Sequence, residues 1–246
     1  LRGHKVKMVL CDGVYKACAK RVDHPEVEIR DWGKYCKSCI RQNSELLDKL
    51  GLEYSYISDH ISADKVKELR LQSEKITFEN YKKLSHNGMN HSNHLESAMM
   101  RHTRGGSYDG LEEILREYAF TILVVAEASE NSLKKFEPTK VYMSHGIYAD
   151  WGPALSVVLK KNIPTTSYVC CYLNAHFYFG TITNFKKTFL NIDNSSWEDF
   201  RKKELSEVQI NRLHNFIERR YLNNVSQDMK GLLKDFKGDK EFFYKK

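Results

Sequence analysis

The sequence is poor in the residues that break a chain or interrupt its packing. Four prolines and thirteen glycines among 246 residues exclude collagen-like and low-complexity architectures. Long apolar runs are missing too: the longest, residues 119–126 with one threonine, is far short of the ~20 residues a membrane span needs. The opening Leu1-Arg2-Gly3-His4-Lys5 leads into a polar turn and a strand instead of a signal peptide, so a cytoplasmic chain is expected. Several catalytic signatures are also lacking. There is no Gly-x-Gly-x-x-Gly after a strand and no P-loop, which removes a dinucleotide fingerprint and a phosphate cradle. No Asp-x-Asp occurs, against the metal-dependent sugar-transfer fold that grips a nucleotide diphosphate with that pair. Gly-x-Ser-x-Gly is missing as well, against an α/β-hydrolase.

Charge of one sign is in short supply. Thirty-nine Lys and Arg are set against 32 Asp and Glu, for a formal net charge of +7. The densest basic group, Arg201-Lys202-Lys203, is diluted by Glu204 and Glu207. A dedicated nucleic-acid binder concentrates its basic residues on one element, so no nucleic-acid partner is expected. Attraction for phosphates, nucleotide sugars and headgroups stays compatible with the charge. With 41% hydrophobic and 29% charged residues, the chain has the make-up of a folded protein able to bury a core.

What is present reads as strands alternating with helices. A short apolar strand at 5–10 is closed by Cys11-Asp12-Gly13. A helix at 34–50 has Gly51 as its C-cap, and a second strand follows at 54–57. Short helices are expected at 63–69 and 78–84, then a polar loop at 85–94 and a helix at 95–102. The clearest helix runs from Asp109 to about Lys135, with Asp109 and Glu112 at capping-box spacing and apolar residues at helical intervals. Strand 140–143, a helix opened by Trp151-Gly152-Pro153 and reaching Lys161, and strand 165–170 make a βαβ unit. Amphipathic helices are expected at 196–205, 207–221 and 226–236. The fold class is therefore α/β, a Rossmann-like open parallel sheet flanked by helices over 1–185, with a helical C-terminal segment over 186–246. In such sheets ligands sit outside the carboxyl ends of the strands. That rule selects the loops at 11–18 and 144–153 and the stretch after Cys170.

Four of the six cysteines, Cys11, Cys18, Cys36 and Cys39, fall within the first forty residues. Cys36 and Cys39 lie three apart at a helix start, where free amides favour thiolates. Four soft ligands suit a closed tetrahedral site, a structural Zn²⁺ that would pin the loop. Against it, six residues separate the first pair where zinc ribbons usually have two to four; unligated thiols, a disulfide or a redox pair are the alternatives. In Ser144-His145-Gly146-Ile147-Tyr148-Ala149-Asp150-Trp151-Gly152-Pro153, Gly146 permits a sharp turn and Gly152 a close backbone approach. His145 and Asp150 then stand beside a helix N-terminus, where a base could take a proton from a sugar hydroxyl; a histidine bracing a loop carbonyl is the alternative. His86, His91, His94 and His102 crowd one stretch, but no carboxylate or cysteine completes a metal motif there. His176, among aromatic residues, would stack on a sugar or fill a core.

Leu1-Arg2-Gly3-His4-Lys5-Val6 into Cys11-Asp12-Gly13, Ala17-Cys18 and Cys36-x-x-Cys39 resemble the start of bacterial surface- and capsule-polysaccharide biosynthesis glycosyltransferases of the two-Rossmann-domain (GT-B) type. Residues 97–101 with Gly105, Ser144-His145-Gly146-Ile147-Tyr148 with Gly152, and Trp197 with Arg219-Arg220 resemble later parts of the same N-terminal domain. The resemblance implies transfer of a sugar from an activated nucleotide or lipid-phosphate donor to a glycan acceptor. This chain would supply the acceptor side, and a second Rossmann-like domain, missing here, would bind the nucleotide-sugar donor. It also implies peripheral association with the inner face of the membrane. Carried over by residue, His145 is the base or acceptor-orienting group with Asp150 as partner, and Arg101 contacts phosphate or carboxylate. Asp12, Gly13, Gly146, Tyr148, Gly152 and His176 complete the expected substrate site. A sugar-nucleotide epimerase of similar fold and a non-catalytic zinc-stabilised binding module are the rival readings.

Overall fold

The computed structural model describes residues 3–23, 27–170, 177–182, 198–199 and 201–218. The chain divides into two compact units, Leu1–Tyr168 with Gly180–Thr188, and Val169–Phe179 with Phe189–Lys246. The first is a mixed α/β unit. Its opening strand β1 (Lys7–Leu10) and β2 (Glu53–Tyr56) pair in parallel, joined through helix α1 (Cys36–Lys49). The register sets Lys7 against Glu53, whose side chains form an ion pair at 2.6 Å. Gly51, at φ +62°, reverses the chain after α1, and Leu52 N–H donates back to the Leu47 carbonyl at 2.9 Å. Ser62 caps α2 (Ala63–Ser73) by accepting from the Lys65 amide at 3.2 Å.

The central element is α4 (Glu112–Phe136), which packs against α2, α3 (Ser92–Thr103) and α5 (Tyr148–Lys160). Its residues 118–126 are buried on every face, so this helix is enclosed instead of lying on a surface. Arg70 of α2 pairs with Glu117 and lies 3.5 Å over the Phe120 ring. Thr121 Oγ1 donates to the Ala17 carbonyl at 2.8 Å, tying the loop after β1 to the core. Strand β5 (Val141–Met143), α5 and β6 (Thr165–Cys170) form a second parallel βαβ unit, and β7 (Phe177–Ile182) extends this ladder in the order β5-β6-β7. Among the described residues the parallel pairs β1-β2 and β5-β6 thus lie in separate hydrogen-bonded ladders, the second of which also contains β7.

Four expectations are corrected. Residues 78–84 form only a 3-10 turn at Tyr81–Lys83, because the Asn80 side chain accepts from Thr77 N–H and donates to the Lys75 carbonyl, an alternative to helical bonding. The polar loop at 85–94 is a hairpin, β3 (Ser85–His86) and β4 (Met89–Asn90), turning on Asn87 and Gly88 at φ +47° and +73°. Its histidines point inward: His86, His91 and His94 are all buried. Asp109 and Glu112 form no capping box; α4 has Leu111 at its N-cap, and Asp109 accepts from Ser107 Oγ at 2.6 Å. Finally, α5 starts at Tyr148, so Pro153 lies inside the helix and not in its first turn.

In the second unit, α6 (Glu207–Ile217) starts in a capping box of Ser206 and Gln209. Phe177 and Phe179 pack ring against ring at 6.4 Å between centroids. The helix expected at 196–205 is described only in part, and that at 226–236 lies outside the described residues, as do His176, Trp197 and Arg219-Arg220. No described helix is long and apolar enough to cross a membrane.

Candidate functional site at two strand ends

The loops leaving β1 and β5 meet through Asp150. On the β5 side, Gly146 takes φ +65°, and a Cβ there would lie 2.4 Å from Leu155 Cδ2, so only glycine fits the turn. Tyr148 follows at φ +64°, a left-handed conformation that a bulky side chain rarely adopts and that marks local strain. Over its ring, 4.7 Å from the centroid, lies the Arg101 guanidinium from the last turn of α3. His145 is wedged edge-on against Tyr148 and Trp151, at 5.3 and 4.6 Å between centroids.

Asp150 sits in the first turn of α5, and its Oδ2 accepts from the Ala19 amide at 3.3 Å, across to the β1 loop. Burial pushes its carboxyl up to about 6, against the pull of the Ala19 amide and the Arg101 cation. Tyr15, buried, lies within electrostatic reach of Cys11, Asp150 and Cys18. Each of Cys11, Tyr15, Asp150, Arg101 and His145 thus lies within electrostatic reach of the next. Gly13, at φ +86°, turns against the start of α1, where Cys36 Cβ is 3.5 Å from the Cβ it lacks.

Three buried polar atoms in this region have no hydrogen-bond partner in the protein: Asp12 Oδ1, Arg101 Nε and Asp150 Oδ1. Buried polar groups are almost always paired; a lone carboxylate oxygen is an acceptor and the guanidinium Nε a donor. A hydroxyl both donates and accepts, so it can complete such a set.

His145 is held down to about 4 by burial first and by the Arg101 cation second, so its imidazole is neutral at pH 7. The Ile147 amide donates to its Nδ1 at 3.3 Å, which places the ring proton on Nε2. In this tautomer Nε2 is a hydrogen-bond donor, and the proton acceptor best matched to neutral pH is Asp150.

Of the four thiols expected as a zinc set, Cys11 lies within electrostatic reach of both Cys18 and Cys36. Cys11, Cys18, Cys36 and Cys39 are all free, and among the described residues no three Cys, His, Asp or Glu side chains stand close enough to share an ion. Burial raises Cys11 and, with Asp150 adding to it, pushes Cys18 up to about 12. Cys36 instead neighbours Arg21 Nη2 at 3.6 Å, and Cys39 neighbours the Asn43 side chain. What pins the loop is Arg21 and Trp32. Arg21 donates to the main-chain carbonyls of Lys16 and Trp32, and Trp32 is buried with its Nε1 donating to Val27 O at 2.9 Å.

The close approach at Gly152 is made by His94: a Cβ on Gly152 would lie 2.2 Å from His94 Nδ1. His94 Nε2 also bonds Ser156 Oγ at 2.9 Å, so this imidazole seats α3 on α5. Comparison with protein-family models, curated proteins and solved structures returned no match to this chain.

Proposed function

We propose that the chain is the acceptor-side, Rossmann-like half of a GT-B-type glycosyltransferase of surface-polysaccharide biosynthesis, with the carbohydrate entering at the β1 and β5 loops. The observation that carries this reading is a set of unpartnered buried atoms in the strand-end loops and α3: Arg101 Nε, whose guanidinium lies over the strained Tyr148, Asp150 Oδ1 in the turn that follows, and Asp12 Oδ1 in the loop after β1. A nucleotide-sugar donor would be held by a second domain. An acceptor hydroxyl loses its proton to Asp150 as its oxygen bonds to the donor's anomeric carbon. The bond to the nucleoside diphosphate breaks, and the phosphate leaves with the electron pair. His145 Nε2–H orients the hydroxyl, and Arg101 offsets the developing negative charge. Transfer requires the buried Asp150 Oδ1 to become accessible to the acceptor hydroxyl.

The test is sugar transfer by this chain combined with its donor-binding half, using a panel of nucleotide sugars and oligosaccharides. Asp150→Asn should lower kcat on the order of ~100-fold or more, with a smaller effect on oligosaccharide binding. The acid limb of kcat/KM should fall near pH 6, because Asp150 must be ionised to accept a proton. Conversion of a nucleotide sugar with no acceptor present would identify an epimerase instead. Unchanged turnover in Asp150→Asn would retire the assignment.

A further inference from the structure

Away from the strand ends, a groove of about 440 Å³ opens between the 3-10 turn at Tyr81–Lys83 and the start of α4, lined by Phe78, Tyr81, Tyr108, Asp109, Gly110 and Glu112. Phe78 and Tyr108 stack nearly parallel, 13° apart with centroids at 5.8 Å. A smaller recess walled by the same three rings reaches Glu96 and Met99 of α3. None of the side chains lining either space is basic, although the chain as a whole carries +7.

We propose that this groove binds a small organic ammonium ion, held against the rings of Phe78, Tyr81 and Tyr108 and by the carboxylates of Asp109 and Glu112, with Glu96 in the adjoining recess adding negative charge. Aromatic faces present a negative quadrupole to a cation, and a partly desolvated site strengthens the attraction. The N-terminus of α4 adds roughly half a positive charge nearby, which the two lining carboxylates exceed. Arg116, the nearest basic residue on α4, has its Nε committed to the Ile76 carbonyl at 3.2 Å. The Tyr108 hydroxyl is raised by burial and then by the Glu96 charge, as a locally negative groove requires. Anions and neutral apolar ligands gain nothing from the carboxylates, and Met99 supplies a polarisable wall for alkyl substituents on nitrogen. None of the residues at the β1 and β5 strand ends takes part, so failure of either reading leaves the other standing.

The experiment is an NMR titration of the whole chain with choline and, in parallel, with its neutral isostere 3,3-dimethylbutan-1-ol. Choline should shift the ring resonances of Phe78, Tyr81 and Tyr108, and the isostere should bind at least about tenfold more weakly. Glu112→Gln, an exposed and conservative change, should weaken choline binding by roughly threefold or more. Tyr108→Leu should abolish it, with circular dichroism checking that the variant folds. Equal binding of the two probes, no shift at up to about 10 mM choline, or an unaffected Glu112→Gln variant would overturn the proposal.

Discussion

Burial moves Asp150 and His145 in opposite directions, and the consequences separate catalysis from stability. Asp150 is raised from its ordinary 3.8 to about 6. The folded state therefore holds more protons than the unfolded chain between those values. The carboxyl adds stability below this window and withdraws it as pH rises through about 6. At pH 7.5 the ionised group is a net cost, with a ceiling of about 3 kcal/mol. Asp150→Asn keeps an acceptor for the Ala19 amide and removes the charge, so its melting temperature at pH 7.5 should rise by a few degrees. The gain should vanish near pH 4, as thermal scans at both pH values would show. A purely structural carboxylate would give a loss instead. Gly152 makes the opposite case: Gly152→Ala drives a methyl into the His94 ring and should cost more than about 2 kcal/mol in chemical denaturation. Trimming the ring as well, in His94→Ala with Gly152→Ala, should cost less than the sum of the two single changes.

Among the elements, the α3–hairpin region carries a pH dependence of its own. His91 and His94 are held down from 6.5 to about 4 by burial, with His94 and His86 adding to the effect on His91. Both ring nitrogens of His91 are buried without a partner. Below about pH 6.5 the unfolded chain binds protons that the folded chain refuses, so stability is full above that pH and falls toward pH 4. Urea midpoints measured between pH 7 and pH 4.5 should decline, and His91→Leu should flatten the decline, since it removes an unpaired polar ring from an apolar site. An equal slope in wild type and variant would contradict this assignment. The same region shows why parts of the fold were hidden in the sequence. Strands β1, β5 and β6 and helices α1 and α4 announce themselves by apolar spacing and by Gly51, which are local signals. The inward turn of His86, His91 and His94 depends on α4 and α5 lying above them. The loss of a helix at 78–84 depends on one Asn80 side chain, and nothing local distinguishes that asparagine from a solvated one. Asp109 matched a capping-box spacing, yet Gly110 and Leu111 intervene and its carboxylate answers Ser107 instead.

For the molecule as a whole, the buried helix α4 packs against α5 and ties down the loop after β1 through Thr121, and the Ala19–Asp150 bond joins the loops after β1 and β5. Each loop was legible as a candidate because it leaves the carboxyl end of a strand that pairs in parallel, although β1 and β5 lie in separate ladders and the rule gives no reason for the two loops to meet. The division of labour within the site was not legible. His145 drew attention as a base, whereas the Ile147 amide and the Arg101 cation make it a neutral donor. Tyr15 and Trp32, which hold the β1 loop, lie in a stretch with no periodicity to mark them. Thr121 is the tie whose removal tests the joint between loop and core: Thr121→Val should cost about 1 kcal/mol and lower oligosaccharide affinity through the loosened loop. The most direct test of the central claim is chemical-shift mapping of the 246-residue chain with capsule-type oligosaccharides. The expected result is a set of shifts centred on Asp12, Arg101, His145 and Asp150 that disappears in Arg101→Met. Shifts confined to other surfaces, or none at saturating oligosaccharide, would contradict it.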